Sequence, residues 1–101
     1  MIKHIVMWKF KEEAEGKTKD ENILIIKKDL EALAGVIPQI RELKVGINRN
    51  TESPTAFDAV LESTFDSMED LKAYREDPRH KKAAAYNKLV RCDRVVVDYE
   101  I

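Results

Sequence analysis

The sequence predicts an α+β protein with a ferredoxin-like βαββαβ fold, assembled as a dimeric α+β barrel. Apolar residues alternate with other residues in four stretches, as they do in β-strands. Two further regions carry apolar residues at every third or fourth position, as amphipathic helices do, and they follow the first and third strands. That order is the split β-α-β pattern of ferredoxin-like domains. The 101 residues predict a single domain spanning the whole chain.

The first strand is predicted from Ile2 to Phe10, where both faces carry large apolar side chains. One face takes Ile2, His4, Val6, Trp8 and Phe10, and the other takes Lys3, Ile5, Met7 and Lys9. After a charged turn from Lys11 to Lys17, Thr18 and Glu21 form the pattern of a capping box that opens a helix. The apolar stripe of this helix is Ile23, Ile26, Leu30, Leu33 and Ile37, and Gly35 and Pro38 mark its end.

The remaining strands are predicted from Ile40 to Asn48, from Phe57 to Phe65 and from Arg94 to Ile101. A loop is expected from Arg49 to Thr55, because its residues are typical of turns. The sheet face that carries Ile5, Met7 and Val60 has no helix of the same chain to cover it. A second copy of the chain supplies such a cover, which predicts a homodimer with its sheets packed face to face.

The second helical region is expected to break at Asp77-Pro78. Ser67 is expected to cap the first segment, whose Tyr74 shares a face with Met68 and Leu71. Asp77 is a favourable N-cap for the second segment, which ends near Val90, and Pro78 fits its first position. The break can redirect the chain, so that Tyr74 and His80 converge on one pocket although six residues separate them.

Composition excludes several function classes. The chain has 18 basic and 19 acidic residues and a net charge of -1, which gives no reason to expect nucleic acid or a membrane surface as a partner. No apolar run is long enough to cross a bilayer, and the N-terminus lacks a signal-peptide pattern. Cys92 is the single cysteine, so no internal disulfide or cysteine-rich zinc cluster is expected. A cytoplasmic protein without metal or cofactor is the simplest interpretation.

Short motifs spread along the chain carry a family resemblance. They are Lys3-His4-Ile5-Val6 with Lys9-Phe10, Ile37-Pro38, Gly46, Phe65-Asp66-Ser67, Tyr74 with Asp77-Pro78-Arg79-His80, and Asp98-Tyr99. With these motifs the chain resembles the stress-response dimeric A/B barrel (Dabb) family over nearly its whole length. The spacing of Tyr74, Pro78 and His80 is the most specific part of the match. The resemblance implies a homodimer with apposed sheets.

Within that family the chain is distantly similar to plant polyketide cyclases of the olivetolic acid cyclase type. In those enzymes a histidine and a tyrosine, in a pocket between sheet and helices, promote an intramolecular aldol condensation. The resemblance implies these roles for His80 and Tyr74, and a pocket position for His4. The chain departs from the pattern of those enzymes. It has Ala59 where they have a third pocket histidine, and Ala83 where they have a bulkier residue that shapes the pocket.

The candidate site therefore combines two candidate catalytic residues with the residues of a pocket wall. His80 and Tyr74 are the candidate catalytic residues, and the candidate ligand-binding residues are His4, Val6, Trp8, Ala59, Leu61 and Ala83. His80 lies in the first turn of a helix, whose positive end favours the neutral imidazole. A neutral His80 can accept a proton while Tyr74 donates a hydrogen bond to a developing enolate oxygen.

Three functions remain open at this stage. The first is binding of a small, partly apolar molecule, and the second is a cofactor-independent cyclase or isomerase. The third is a stability or assembly protein in which the pocket is vestigial and the dimer surface is the function. For the single residues, Tyr74 can be only a core aromatic, and His80, beside Arg79, Lys81 and Lys82, can be only a solvated residue. That basic run is either a solvated helix face or an attractor of anionic ligands. A cavity that touches Tyr74 and His80 favours the first two functions, and a filled interior favours the third.

Overall fold

An antiparallel four-stranded sheet, covered on one face by helices, organises the computed structural model, which describes residues 1–50 and 52–101. The sheet order is β4-β5-β1-β6, so the fold is ferredoxin-like, as predicted. The elements in chain order are β1 (Ile2–Phe10), β2 (Glu13–Ala14), β3 (Lys17–Thr18), α1 (Lys19–Glu31), β4 (Glu42–Ile47), β5 (Ala59–Phe65), α2 (Met68–Glu76), α3 (Pro78–Val90) and β6 (Arg91–Glu100). None of these helices is both long and apolar enough to cross a membrane. The loop predicted over Arg49 to Thr55 includes Thr51, which lies outside the described residues.

β1 is a central strand, and its two faces differ as the sequence predicts. The buried face carries Ile2, His4, Val6, Trp8 and Phe10, which lie between the sheet and the helices. The register places His4 opposite Ser63 of β5 on one side and opposite Asp98 of β6 on the other. Since cross-strand neighbours share a face, these residues form a common floor beneath the helices.

The predicted capping box opens α1. Thr18 accepts a hydrogen bond from the backbone N–H of Glu21 at 3.3 Å, and the backbone N–H of Thr18 donates to the Glu21 carboxylate at 3.0 Å. The preceding charged turn also contains the short β2-β3 hairpin, which the sequence analysis does not predict. Glu15 and Gly16 form its turn with φ of 54° and 73°, the conformation that two-residue hairpin turns require.

α1 ends earlier than predicted. The helix stops at Glu31, whereas Gly35 and Pro38 were the expected end markers. The backbone N–H of Leu33 donates to the carbonyl of Leu30 at 3.0 Å, so the chain continues in tighter turns rather than in an α-helix. Leu33 and Ile37 stay buried, because the turns keep the apolar stripe directed toward the sheet.

The predicted strands overlap the observed ones but differ at their ends. β4 and β5 are shorter than the predicted ranges Ile40 to Asn48 and Phe57 to Phe65. β6 begins before the predicted start at Arg94, because Arg91 pairs with Phe10 after a register shift in β1. Such an irregularity interrupts the alternation of side chains, so alternation alone does not reveal that the strand continues beyond it.

The break between α2 and α3 lies where the sequence predicts it. Asp77 ends α2 and caps α3, since its carboxylate accepts the backbone N–H of Arg79 at 2.8 Å, and Pro78 is the first helical residue. Ser67 caps α2 as predicted. The expected face of α2 is only partly correct, because Met68 is 48% exposed while Leu71 and Tyr74 are fully buried.

The sheet face opposite the helices is uncovered in the single chain. Cross-strand neighbours on it form an apolar surface, which consists of Ile5, Met7, Val60, Val95 and Val97. No helix of the described residues packs on this face, which was predicted to carry Ile5, Met7 and Val60. We refer to these five residues as the open sheet face.

Candidate functional site

A cavity of about 80 Å³ lies between the sheet and the helices, and it is partly open to solvent. Pockets for drug-sized molecules commonly measure about 300–1,000 Å³, so this one suits a very small molecule or the end of a longer one. Its lining comprises His4, Val6, Trp8, Leu30, Leu61, Tyr74, His80, Ala83, Ala84, Asn87, Arg91 and Arg94. Every predicted site residue is among them except Ala59. That residue is buried beside Trp8 in the sheet, and the much larger indole lines the cavity in its place.

The structure brings Tyr74 and His80 together across the helix break. Their ring centroids are 4.3 Å apart, with an angle of 46° between the ring planes. In an unbroken helix, a separation of six residues is a rotation of about 600°, which would place the two side chains about 120° apart around the axis. The turn at Asp77 removes this separation, because α3 starts in a new direction.

Tyr74 presents a hydrogen-bond donor to the cavity. Its side chain is fully buried, and its hydroxyl has no hydrogen-bond partner among the described residues. Burial raises the pKa of Tyr74 well above its usual range, so the phenol keeps its proton at all ordinary pH values. A buried hydroxyl without a partner is uncommon and suggests a place where a ligand or water binds.

Asn87 of α3 is a second donor that sequence reasoning missed. Its Nδ2 is buried and has no hydrogen-bond partner among the described residues. Its Oδ1 accepts a long hydrogen bond of 3.4 Å from Arg91. One signal was available: Asn87 stands between Ala83 and Val90 on the buried face of α3, where a polar residue is unusual.

His80 is held in a defined tautomer. Its Nδ1 lies 3.2 Å from the carbonyl oxygen of Arg75, and a carbonyl oxygen can only accept, so Nδ1 carries the proton. In the neutral ring Nε2 is then free to accept a proton. Burial lowers the pKa of His80, although the hydrogen bond to the Arg75 carbonyl opposes this effect, and the charges of Arg94 and Arg75 lower the pKa further. Neutral His80 was predicted from the helix dipole, but the main cause of its lowered pKa is burial.

His4 is bound to a carboxylate on the neighbouring strand. Its Nδ1 donates to Asp98 Oδ1, so Nε2 of the neutral ring is again the proton acceptor. Burial lowers the pKa of His4, although the hydrogen bond to Asp98 opposes this effect. His4 was predicted to reach the pocket, but its pairing with Asp98 follows only from the strand register.

The positive charges at the cavity are not those of the predicted basic run. Arg79 forms an ion pair of 2.8 Å with Asp77 and does not line the cavity, nor do Lys81 and Lys82. Arg91 and Arg94 line it instead, at the start of β6. Burial and the neighbouring Arg94 lower the pKa of Arg91.

The arrangement can bind an acceptor group and move a proton. Tyr74 and Asn87 supply donors, and the neutral His80 supplies a base close to the Tyr74 ring. Within residues 1–50 and 52–101, no group of three or more His, Cys, Asp or Glu side chains is arranged to hold a metal ion. Tyr74, Asn87 and His80 supply hydrogen bonding and proton transfer.

One similar protein is a stress-response A/B barrel domain-containing protein of Arabidopsis thaliana, which is 32% identical over 96 residues. The match covers 95% of this chain but only 35% of the plant protein, so the chain spans about a third of that relative. The narrower resemblance to polyketide cyclases of the olivetolic acid cyclase type stays a prediction.

Solved structures share the fold along nearly the whole chain. A dimeric ferredoxin-like protein of unknown function from Bacteroides fragilis has a TM-score of 0.82 and 31% identity, with 99% of this chain and 95% of that chain covered. A hydroxynitrile lyase from Passiflora edulis has a TM-score of 0.81 and 25% identity, with coverages of 99% and 92%. The stress responsive A/B barrel domain (Dabb) matches residues 2–101. The chain belongs to this family.

Proposed function

We propose that the protein binds a small, partly apolar molecule through an acceptor oxygen that enters the cavity. The observation that carries this proposal is the Tyr74 hydroxyl, which is fully buried, lines the cavity and has no partner among the described residues. The unpartnered Nδ2 of Asn87 adds a second donor. Six apolar side chains form most of the remaining wall and suit a short hydrocarbon body. They are Val6, Trp8, Leu30, Leu61, Ala83 and Ala84.

A titration with 2,5-hexanedione, followed by NMR of the backbone amides, tests this binding. The ketone oxygen can accept from Tyr74, and we expect shifts at the cavity residues. Tyr74→Phe should weaken binding by about fivefold, because a hydrogen bond inside a protein contributes about 1 kcal/mol net. Tyr86→Phe is the matched control, since the Tyr86 hydroxyl is bonded to Asn22 outside the cavity. Equal affinity of both variants, or shifts only on the open sheet face, would refute the proposal.

A second candidate is a cofactor-independent enzyme of the cyclase or isomerase kind. Its support is the fixed tautomer of His80, which leaves Nε2 as a base in the cavity that holds the Tyr74 hydroxyl. His80 would remove a proton next to a carbonyl, and Tyr74 would stabilise the oxygen of the resulting enolate. The similar Passiflora edulis protein is described as a lyase, so this fold accommodates catalysis in at least that case.

Deuterium exchange into 2,5-hexanedione tests the proton transfer directly. In D₂O, an enzyme of this kind accelerates exchange at the carbon atoms beside the carbonyls, which NMR of the diketone detects. His80→Gln should lower the protein-catalysed rate by about 100-fold or more while leaving binding largely intact. Tyr86→Phe again serves as the control. Exchange no faster than in buffer would leave binding as the function and exclude this chemistry for the diketone.

The third hypothesis, a protein whose only function is assembly, is disfavoured by the cavity with its unpartnered donors. Assembly remains part of the proposal, since similar structures are described as dimeric and the open sheet face needs a cover. We therefore propose a homodimer whose sheets are apposed. The single-domain assignment and the cytoplasmic location stay predictions.

A further inference from the structure

The hydrogen-bonding groups of the cavity include a pair of guanidinium groups that the proposed function does not use. We propose that the ligand is a small organic acid, whose carboxylate binds to Arg91 and Arg94 at the mouth while its body enters the cavity. This inference rests on the proposed binding function and specifies the chemical class of its ligand.

Arg91 has no ion-pair partner among the described residues. It is partly buried at the junction of α3 and β6, and among the described residues its side chain makes one long hydrogen bond, of 3.4 Å to Asn87. Within the same part of the chain no carboxylate lies within ion-pairing distance of its guanidinium. Elsewhere Arg41 pairs with Asp66 at 2.7 Å and Arg79 pairs with Asp77 at 2.8 Å.

Arg94 adds a second positive charge at the same place. It lies opposite Trp8 in the register of β1 and β6, so its side chain belongs to the sheet face beneath the helices and lines the cavity. It too has no carboxylate partner within the part of the chain that is described. Two neighbouring guanidinium groups repel each other, and an anion between them removes that repulsion.

The acidic groups near the cavity do not neutralise this pair. Asp98 is engaged by His4, and the Asp93 carboxylate accepts the backbone N–H of Arg94 at 2.8 Å. Among the described residues neither carboxylate forms an ion pair with the guanidinium of Arg91 or Arg94. Both histidines have pKa values lowered by burial, so they add little charge at neutral pH. The region next to Arg91 and Arg94 thus keeps excess positive charge, which attracts an anion.

The shape of the site favours a carboxylate over an inorganic anion. A guanidinium group matches the planar carboxylate with two parallel hydrogen bonds. Arg94 is exposed, whereas the Tyr74 hydroxyl in the same cavity is fully buried and has no partner among the described residues. Asn87 lies beside Arg91, which donates to its Oδ1 at 3.4 Å. A short acid with an acceptor oxygen at its far end satisfies both ends of this site, whereas inorganic phosphate leaves the inner part unused.

The test compares levulinate with 2,5-hexanedione. The two molecules share a methyl ketone and two methylene groups, but 2,5-hexanedione has a second, neutral methyl ketone where levulinate has its carboxylate. We expect levulinate to bind about tenfold more tightly, and added salt to reduce this preference because Arg94 is exposed. Arg91→Gln and Arg94→Gln should each lower levulinate affinity by about tenfold and lower 2,5-hexanedione affinity much less. Arg94→Lys should retain part of the preference, and Arg41→Gln is the control on a distant arginine.

Each other outcome counts against a specific part of the reasoning. Equal affinities for the two probes, unaffected by either glutamine variant, would overturn the carboxylate inference while leaving the proposed binding function intact. Inorganic phosphate that binds as tightly as levulinate and displaces it would show an unselective anion site, which also overturns the inference. If the glutamine variants instead dissociate the dimer in sedimentation, the arginines belong to an interface, and the inference fails. Binding of neither probe would refute both proposals.

Discussion

Tyr74 is fully buried, and its hydroxyl has no hydrogen-bond partner among the described residues. This combination is unfavourable for the stability of the unliganded protein. Burying a hydroxyl without a hydrogen bond costs about 1–3 kcal/mol. A residue retained at such a cost is easier to explain by binding than by stability. The ring itself packs well, since it lies 5.1 Å from the ring of Phe65 by centroids.

Tyr74→Phe should therefore raise the free energy of unfolding of the unliganded protein by about 1 kcal/mol. The substitution removes the buried hydroxyl and keeps the aromatic packing. Chemical denaturation of both proteins at the same concentration measures the difference. The variant should thus be more stable and bind less well.

Tyr86→Phe provides the opposite expectation. The Tyr86 hydroxyl donates to Oδ1 of the fully buried Asn22 at 2.6 Å, so its removal leaves an amide oxygen without its partner. We expect a loss of about 1–3 kcal/mol. If Tyr74→Phe destabilises the protein as Tyr86→Phe does, the Tyr74 hydroxyl has a structural partner and the donor argument is wrong.

The two histidines that line the cavity should make stability fall in mild acid. The pKa values of His4 and His80 are lowered by burial, so below about pH 6.5 the unfolded chain binds more protons than the folded protein. The free energy of unfolding therefore rises with pH between the lowered pKa of the folded protein and about pH 6.5. It falls as the pH drops through the same range. Denaturation midpoints between pH 5 and 8 should show this slope. His80→Gln and His4→Gln should each flatten it, and an unchanged slope in both variants would contradict the assignment.

At the scale of secondary structure, one residue determines the geometry of the cavity. Asp77 ends α2 and caps α3, and the redirection at this point brings His80 to Tyr74. The Arg79 side chain and backbone lower the pKa of Asp77 to about 2. The carboxylate is thus ionised in the folded protein at pH values well above 2. Its contribution to stability is complete above its unfolded pKa and is lost as pH falls through about 2.

Asp77→Ala should lower the Tm by about 4–8 °C, the shift expected when a domain of this size loses one N-cap. His80 should also move away from Tyr74, which NMR of the imidazole ring can follow. Asp77→Asn is the matched control, because asparagine also caps helices and should retain most of the stability. A Tm for Asp77→Ala equal to that of the wild type would show that Pro78 alone maintains the break.

The sequence predicts element types better than the details of the cavity. Periodicity and capping residues locate the helix break, the buried face of β1 and the residues that line the pocket from it. The same signals do not give distances between elements, so Asn87, Arg91 and Arg94 were missed. Ala59 was expected in the wall because alternation assigns its face, yet alternation cannot show that the neighbouring Trp8 occupies the space.

At the scale of the whole molecule, the open sheet face predicts which surface mutations change the oligomeric state. Met7 is 38% exposed at the centre of this surface, beside Val60 and Val95. Met7→Lys places a charge where two sheets would meet, so the dimer should dissociate toward monomer and stability should fall. Analytical ultracentrifugation measures the mass. Leu24→Lys, at a residue that is 58% exposed on α1, should leave the mass unchanged. A monomeric wild type would contradict the proposed assembly.

The two faces of β1 also determine which kinds of mutation this protein tolerates. Substitutions at its even-numbered positions alter the side that faces the cavity, and those at its odd-numbered positions alter the open sheet face. Ligand binding and assembly can therefore change independently during evolution. Insertion or deletion of a single residue has a different effect. It exchanges the faces of all residues beyond the change and directs Ile5 and Met7 toward the helices. Within these nine residues, selection should therefore accept substitutions that keep the polarity and size of a side chain more readily than changes in length.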